Sequence, residues 1–124
     1  MKGYIKEIHP VLPVKNVFES LLYYTDKLGF NVAFADDEKN PTYAGITKDG
    51  IEIHLQWHDA SEWEAGIDRP MLRFVVQHIE SLYEEYKLKS VFHNHTSLSE
   101  KPWGTKEFAF YDPDMNGLTF YCDL

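Results

Sequence analysis

The chain has 124 residues, 44% of them apolar and 26% charged, with a net charge of −8 and a pI near 5.1. That length suits one domain with a real core. The composition lacks the clustered Lys and Arg that a nucleic-acid backbone or an anionic membrane surface requires, which excludes both as partners and leaves solubility, or attraction of a cationic small molecule, as the work of the acidic field.

The first ten residues, "MKGYIKEIHP", carry charges throughout and have no signal-peptide core; with no run approaching ~18 apolar residues, a cytoplasmic protein is expected. "YIKEIHPVLPV" alternates in character and holds prolines on either side of "VL", which predicts an edge-type or interrupted strand. "NVFESLLYYTDKLGF" predicts a helix with Asn16 as N-cap and Glu19 three residues on, Phe18, Leu21, Leu22 and Leu28 as the apolar face, and Gly29 as the C-terminal stop. Strands "NVAFA" and "TYAGIT" follow, separated by the polar loop "DDEKNP". Asp49-Gly50 is a two-residue hairpin signal leading into "IEIHLQW", where Glu52, His54 and Gln56 point one way and Ile51, Ile53, Leu55 and Trp57 the other. The segment "HDASEWEAGIDRP" reads as a polar connection; Trp57 and Trp63 flank it, placed either to line a cleft or to cover a dimer contact.

The order then starts again. "MLRFVVQ" predicts a strand, "HIESLYEEYKLK" a helix burying Ile79, Leu82, Tyr83 and Tyr86, "VFHNH" a short strand, "TSLSEKPWG" a loop, "TKEFAFY" a strand, "DPDMNG" a turn and "LTFYCDL" the last strand. At an offset of 61, Glu19, Ser20 and Leu21 match Glu80, Ser81 and Leu82. The repeated order predicts a duplication, about 1–60 and 68–124, inside a single domain of residues 1–124, with two βαβββ modules of α+β class forming curved mixed sheets around a concave face. The lone Cys122 excludes an intrachain disulfide and reads as inert. His54 and His58, four apart, and His93 and His95, two apart, do not by spacing demand a metal.

The stretches "HPVLPVKNVFESLLYYTDKLGF", "YAGITKDGIEIHL", "LRFVVQHIESLYEEY" and "PWGTKEFAFYDPDMNGLTFY" cover nearly the whole chain, and on them it resembles the vicinal oxygen chelate family, the glyoxalase, bleomycin-resistance and dioxygenase fold. "YYTDKLGF" and "PWG" with "EFAF" and "DP" are most similar to the bleomycin-resistance branch. That resemblance implies a non-catalytic homodimer whose interfacial clefts sequester cationic, elongated drugs carrying a flat bithiazole. It places the drug's aromatic part between two aromatic side chains, one falling on Trp103 and the other on Tyr43, where a Phe is usual. The ligand-contacting set expected from this is Tyr43, Glu52, His54, Trp57, Trp103 and Thr119, with no catalytic residue and no cofactor.

The enzymes of the family hold a divalent metal at four positions. By resemblance these fall on His9, on Glu52 or His54, near Met71 or Leu72, and on Thr119, and two strong ligands of four make a broken site. The alternative is a metal-dependent lyase, isomerase or dioxygenase using His9 with Glu52 or His54. A third reading is a dimeric scaffold or sensor with Trp103 and Tyr43 packed on each other.

Overall fold

In the computed structural model, which describes residues 1–124, the chain divides into two units, Met1–Asp59 and Ala60–Leu124. Each carries one four-stranded mixed sheet, and the class is α+β, as expected.

The first unit runs β1 (Val11–Val14), α1 (Val17–Asp26), β2 (Asn31–Ala35), β3 (Tyr43–Lys48) and β4 (Ile51–Trp57), with strand order β1-β4-β3-β2. β1 pairs parallel with β4, and the other pairs are antiparallel. The first strand is shorter than the sequence suggests and begins only after Pro10. Pro10 lacks an N–H, and its carbonyl accepts from His54 N–H at 2.9 Å before the ladder starts. Pro13 is tolerated inside β1 because that strand is a sheet edge. Leu12, Val14, Ala44, Ile46, Ile53 and Leu55 are buried on one side of the sheet, where α1 packs.

Asn16 caps α1 as its sequence position predicts, its Oδ1 accepting from the Glu19 N–H at 2.9 Å. α1 ends at Asp26 with Lys27 as its C-cap, short of the stop expected at Gly29; Gly29 takes φ 80°, which a side chain would strain, and lets the Phe30 N–H return to the Tyr24 carbonyl at 3.0 Å. The buried stripe differs from the expected one. It runs Val17, Ser20, Leu21, Tyr24 and Leu28, whereas Phe18 and Leu22 are about half exposed. Phe18 and Leu22 each sit one residue beyond a stripe position, roughly 100° round the helix, so the wide apolar surface of "VFESLL" spills past the contact with the sheet.

The second unit runs α2 (Ala60–Glu64), β5 (Met71–Val75), α3 (Ile79–Lys87), β6 (Ser99–Lys101), β7 (Thr105–Tyr111) and β8 (Gly117–Asp123). Its strand order is β5-β8-β7-β6, again with one parallel pair, β5 with β8. Ile79 and Tyr86 of α3 are fully buried and Leu82 and Tyr83 half-buried, on the face the sequence predicts. Tyr86 meets Phe108, Phe110 and Phe120 edge-on at 5.5–6.4 Å, and these phenylalanines stack among themselves, which makes an aromatic core.

Three expectations fail here. The connection after β4 contains the short helix α2, "VFHNH" is not a strand, and the segment "TSLSEKPWG", expected as a loop, contains β6. The outer rim of β7 is instead met by side chains from the 93–96 turn. Tyr111 N–H donates to His93 Nε2 at 3.0 Å, and the Thr96 hydroxyl donates to the Ala109 carbonyl at 2.9 Å. The backbone groups that a strand would have paired are satisfied without one, and β6 forms later, against Thr105–Glu107. The 112–116 turn is held by Asp112, which accepts from the N–H groups of Asp114 and Asn116 at 2.9 Å each.

Candidate functional site

In the first unit, cross-strand pairing puts Tyr43, Gly45, Glu52, His54 and Gln56 on the sheet face opposite the core. Phe34, paired with Gly45, joins them from β2. Gly45 is needed there: a Cβ on it would lie 2.3 Å from Cε1 of Phe34. Without one, the phenyl ring crosses β3, lies near-parallel to Tyr43 at 6.1 Å (interplanar angle 18°) and meets His54 edge-on at 5.2 Å.

A chain of hydrogen bonds crosses this face. His54 Nε2 and Glu52 Oε2 are 2.6 Å apart, and Tyr43 Oη and His54 Nδ1 are 2.7 Å apart. The bond from His54 and the nearby imidazoles hold the Glu52 carboxyl below its ordinary range, against the opposing effect of burial. Glu52 is therefore an acceptor, so Nε2–H of His54 donates to it, and in the neutral imidazole Nδ1 then accepts from the Tyr43 hydroxyl. His9 lies beside this pair, its ring 4.8 Å from that of His54 and its Nδ1 3.7 Å from Glu52, while its Nε2 meets Glu7 at 2.7 Å.

The structure thus brings together both residues between which the sequence left a choice. Ligand atoms of His9, Glu52 and His54 all lie within 4.8 Å of one another. Three donors, two imidazoles and a carboxylate, meet the minimum for an open divalent site, where the sequence promised two. They fit a metal provided that it replaces the His54 Nε2 proton, upon which Nδ1 becomes the donor and Tyr43 its outer partner. Of the other two family positions, Thr119 is buried, and Met71 lies across Gly117, where a Cβ would come within 1.9 Å of its sulfur.

Trp57 stands apart from this cluster. It shares the parity of Ile53 and Leu55, and it lines a groove of about 470 Å³ with Lys15, Phe18, Lys39 and Thr42 on the helix side of the sheet. Trp57 and His54 therefore do not face the same space.

In the second unit, "KPWGT" makes the three-residue connection between β6 and β7. Gly104 N–H donates to the Lys101 carbonyl at 3.0 Å, Gly104 adopts φ 88°, and Pro102 and Trp103 fill the central positions. A residue at the tip of such a turn cannot reach the core, and Trp103 is 65% exposed. Its indole is nevertheless tethered: Nε1–H donates to Glu107 Oε2 at 3.0 Å. Glu107 is buried and accepts two further bonds at the same oxygen, from Arg73 at 2.8 Å and Thr105 at 2.6 Å. The Arg73 bond, with those of Thr105 and Trp103, outweighs burial and pulls the Glu107 carboxyl down to about 2. Arg73 also lies over the Tyr121 ring at 4.2 Å. Thr119, in register with Arg73 and Ala109, shares this sheet face.

Glu107, Arg73 and Phe34 are the residues that reading the sequence missed. "TKEFAFY" did carry a signal, a carboxylate in the strand interior on the face opposite Phe108 and Phe110, where its neighbours Thr105, Ala109 and Tyr111 are uncharged, and "YAGIT" carried another, a glycine in a strand interior.

The family model described as Glyoxalase/Bleomycin resistance protein/Dioxygenase superfamily matches residues 8–120. A bleomycin resistance protein of Geobacillus stearothermophilus is 31% identical over 90% of this chain and 92% of its own length. One from Staphylococcus aureus matches to the same extent. Among solved structures, the bleomycin-binding protein of bleomycin-producing Streptomyces verticillus, complexed with copper(II)-bleomycin, superposes with a TM-score of 0.73 at 25% identity, covering 94% of this chain and 97% of that one. No helix here is long and apolar enough to cross a membrane.

Proposed function

We propose, from the premise that this chain belongs to the Glyoxalase/Bleomycin resistance protein/Dioxygenase superfamily, that it binds and sequesters a cationic, aromatic small molecule of the bleomycin type without transforming it. It acts as a homodimer with its ligand clefts at the subunit interface. Trp103 and Tyr43 supply the stacking surfaces, and Glu52, His54 and Thr119 the polar contacts. The observation that carries this reading is the Trp103 indole, 65% exposed and yet fixed by a hydrogen bond to a buried carboxylate. An aromatic both open and oriented is what stacking on a flat guest needs. The net charge of −8 favours a cationic guest, and relatives at 31% identity are bleomycin resistance proteins. Isothermal titration calorimetry with metal-free and copper(II)-loaded bleomycin tests it. Tight binding with a change in tryptophan fluorescence is expected; binding weaker than about millimolar, with fluorescence unmoved, overturns the bleomycin assignment.

The cluster of His9, Glu52 and His54 favours a second reading, a metal-dependent lyase, isomerase or dioxygenase. A divalent ion there would supply Lewis acidity toward an oxygen of the substrate. The chain's own residues would supply the three donors, with Tyr43 fixing the orientation of His54. This reading expects near-stoichiometric metal in protein purified without chelators and its loss in His9→Ala. Protein that stays metal-free after incubation with nickel, zinc, manganese and ferrous iron dismisses it.

A further inference from the structure

We infer that Glu107 is a positioning residue for ligand binding, whose carboxylate holds the Trp103 indole in the orientation that receives the guest; this rests on the reading above that Trp103 contacts ligand. Glu107 Oε2 accepts from Arg73, Thr105 and Trp103. Arg73 is enough to neutralise the buried charge, and Thr105 is a neighbour on the same strand. The bond to Trp103 has no comparable structural purpose. The indole N–H belongs to a residue 65% exposed, where water would satisfy it at no cost.

What the bond removes is freedom. Trp103 sits at the tip of a three-residue connection, and without a tether its two side-chain torsions would sample several rotamers. Ordering such a side chain at the moment of binding would weaken the complex by about three- to tenfold. Glu107 meets that cost during folding. The carboxylate itself is held by Arg73, which is in turn seated on Tyr121, so each member of the tether has a partner.

The experiment uses the full chain labelled with 5-fluorotryptophan, as wild type, Glu107→Gln, Trp103→Phe and the double variant, with bleomycin as probe. Fluorine NMR assigns the Trp103 signal by its absence in Trp103→Phe. The expected result is that Glu107→Gln shifts or broadens the Trp103 resonance of the free protein. It should also weaken bleomycin binding about three- to tenfold, a loss that vanishes when position 103 is already Phe. An unmoved Trp103 resonance, or the same loss of affinity in the Trp103→Phe background, overturns the inference. Should the wild type not bind bleomycin, the ligand assignment fails, while the free-protein resonance still decides whether Glu107 orients the indole. Glu107→Asp, which keeps a charge for Arg73 but withdraws it from the indole, serves if Glu107→Gln does not fold, with the same expectations.

Discussion

Among single residues, Glu107 and Trp103 divide the labour between charge and surface. The Glu107 carboxyl is lowered from 4.5 to about 2, so its contribution to stability is complete above about pH 4.5. It is lost as pH falls from there toward 2, when the folded state also takes up the proton. Urea unfolding of wild type and Glu107→Gln should therefore show a gap that is constant near neutrality and closes in acid. A gap independent of pH down to about 2 would contradict the ion pair with Arg73. Trp103→Ala removes the proposed stacking surface and should weaken bleomycin binding by roughly ten- to a hundredfold, since burial of the indole would be lost together with its face contacts. It should leave the melting temperature nearly unchanged, because an exposed turn residue contributes little to folding. The position of Trp103 was legible in "PWG", where proline and glycine fix the turn and force the indole outward. Its partner was not, because nothing local says that a glutamate four residues on returns to the indole nitrogen.

Elements follow the sequence where the signal is short-range. Asn16 and Asp49-Gly50 act through neighbours only, and α1 begins where Asn16 places it, while it ends at Asp26, ahead of Gly29; Asn16→Ala should cost about 1 kcal/mol in chemical denaturation through loss of the cap to Glu19. Where the outcome depends on distant partners, local patterns mislead. Phe18 and Leu22 look like core and are not, because the sheet covers only the stripe through Leu21, Tyr24 and Leu28. "VFHNH" has strand composition, but His93 and Thr96 meet β7 with side chains instead. Gly45 offers a test of an element's shape. Gly45→Ala should destabilise the first unit by about 1–2 kcal/mol by displacing Phe34 from β3. The loss should disappear in a Phe34→Ala background; a loss that persists there would place the strain in the backbone rather than in the ring.

At the scale of the whole molecule, the net charge of −8 bears on recognition as well as solubility. If the guest is cationic, its affinity should fall steadily as ionic strength rises through the range where the screening length shrinks from ~30 to ~10 Å. A flat salt dependence would mean that stacking alone carries binding. The α+β class and the duplicated succession of strand, helix and three strands were legible from the repeat, whereas the pairing order within each sheet came only with the structure. The site was legible only in part. The sequence named His9, Glu52, His54, Tyr43 and Trp103, and strand parity already set Trp57 on the other face, but it could not tell that Glu52 and His54 act as a pair or what surrounds Trp57, because parity along one strand does not reveal what the adjoining strands and helix place beside it. The 93–96 turn carries one further consequence. By plugging the rim of β7 with an imidazole and a hydroxyl, it leaves no row of bare amides there for another molecule to zip onto. Loss of His93 would then show itself as fibrillar deposits on storage, in a protein whose melting curve had scarcely moved.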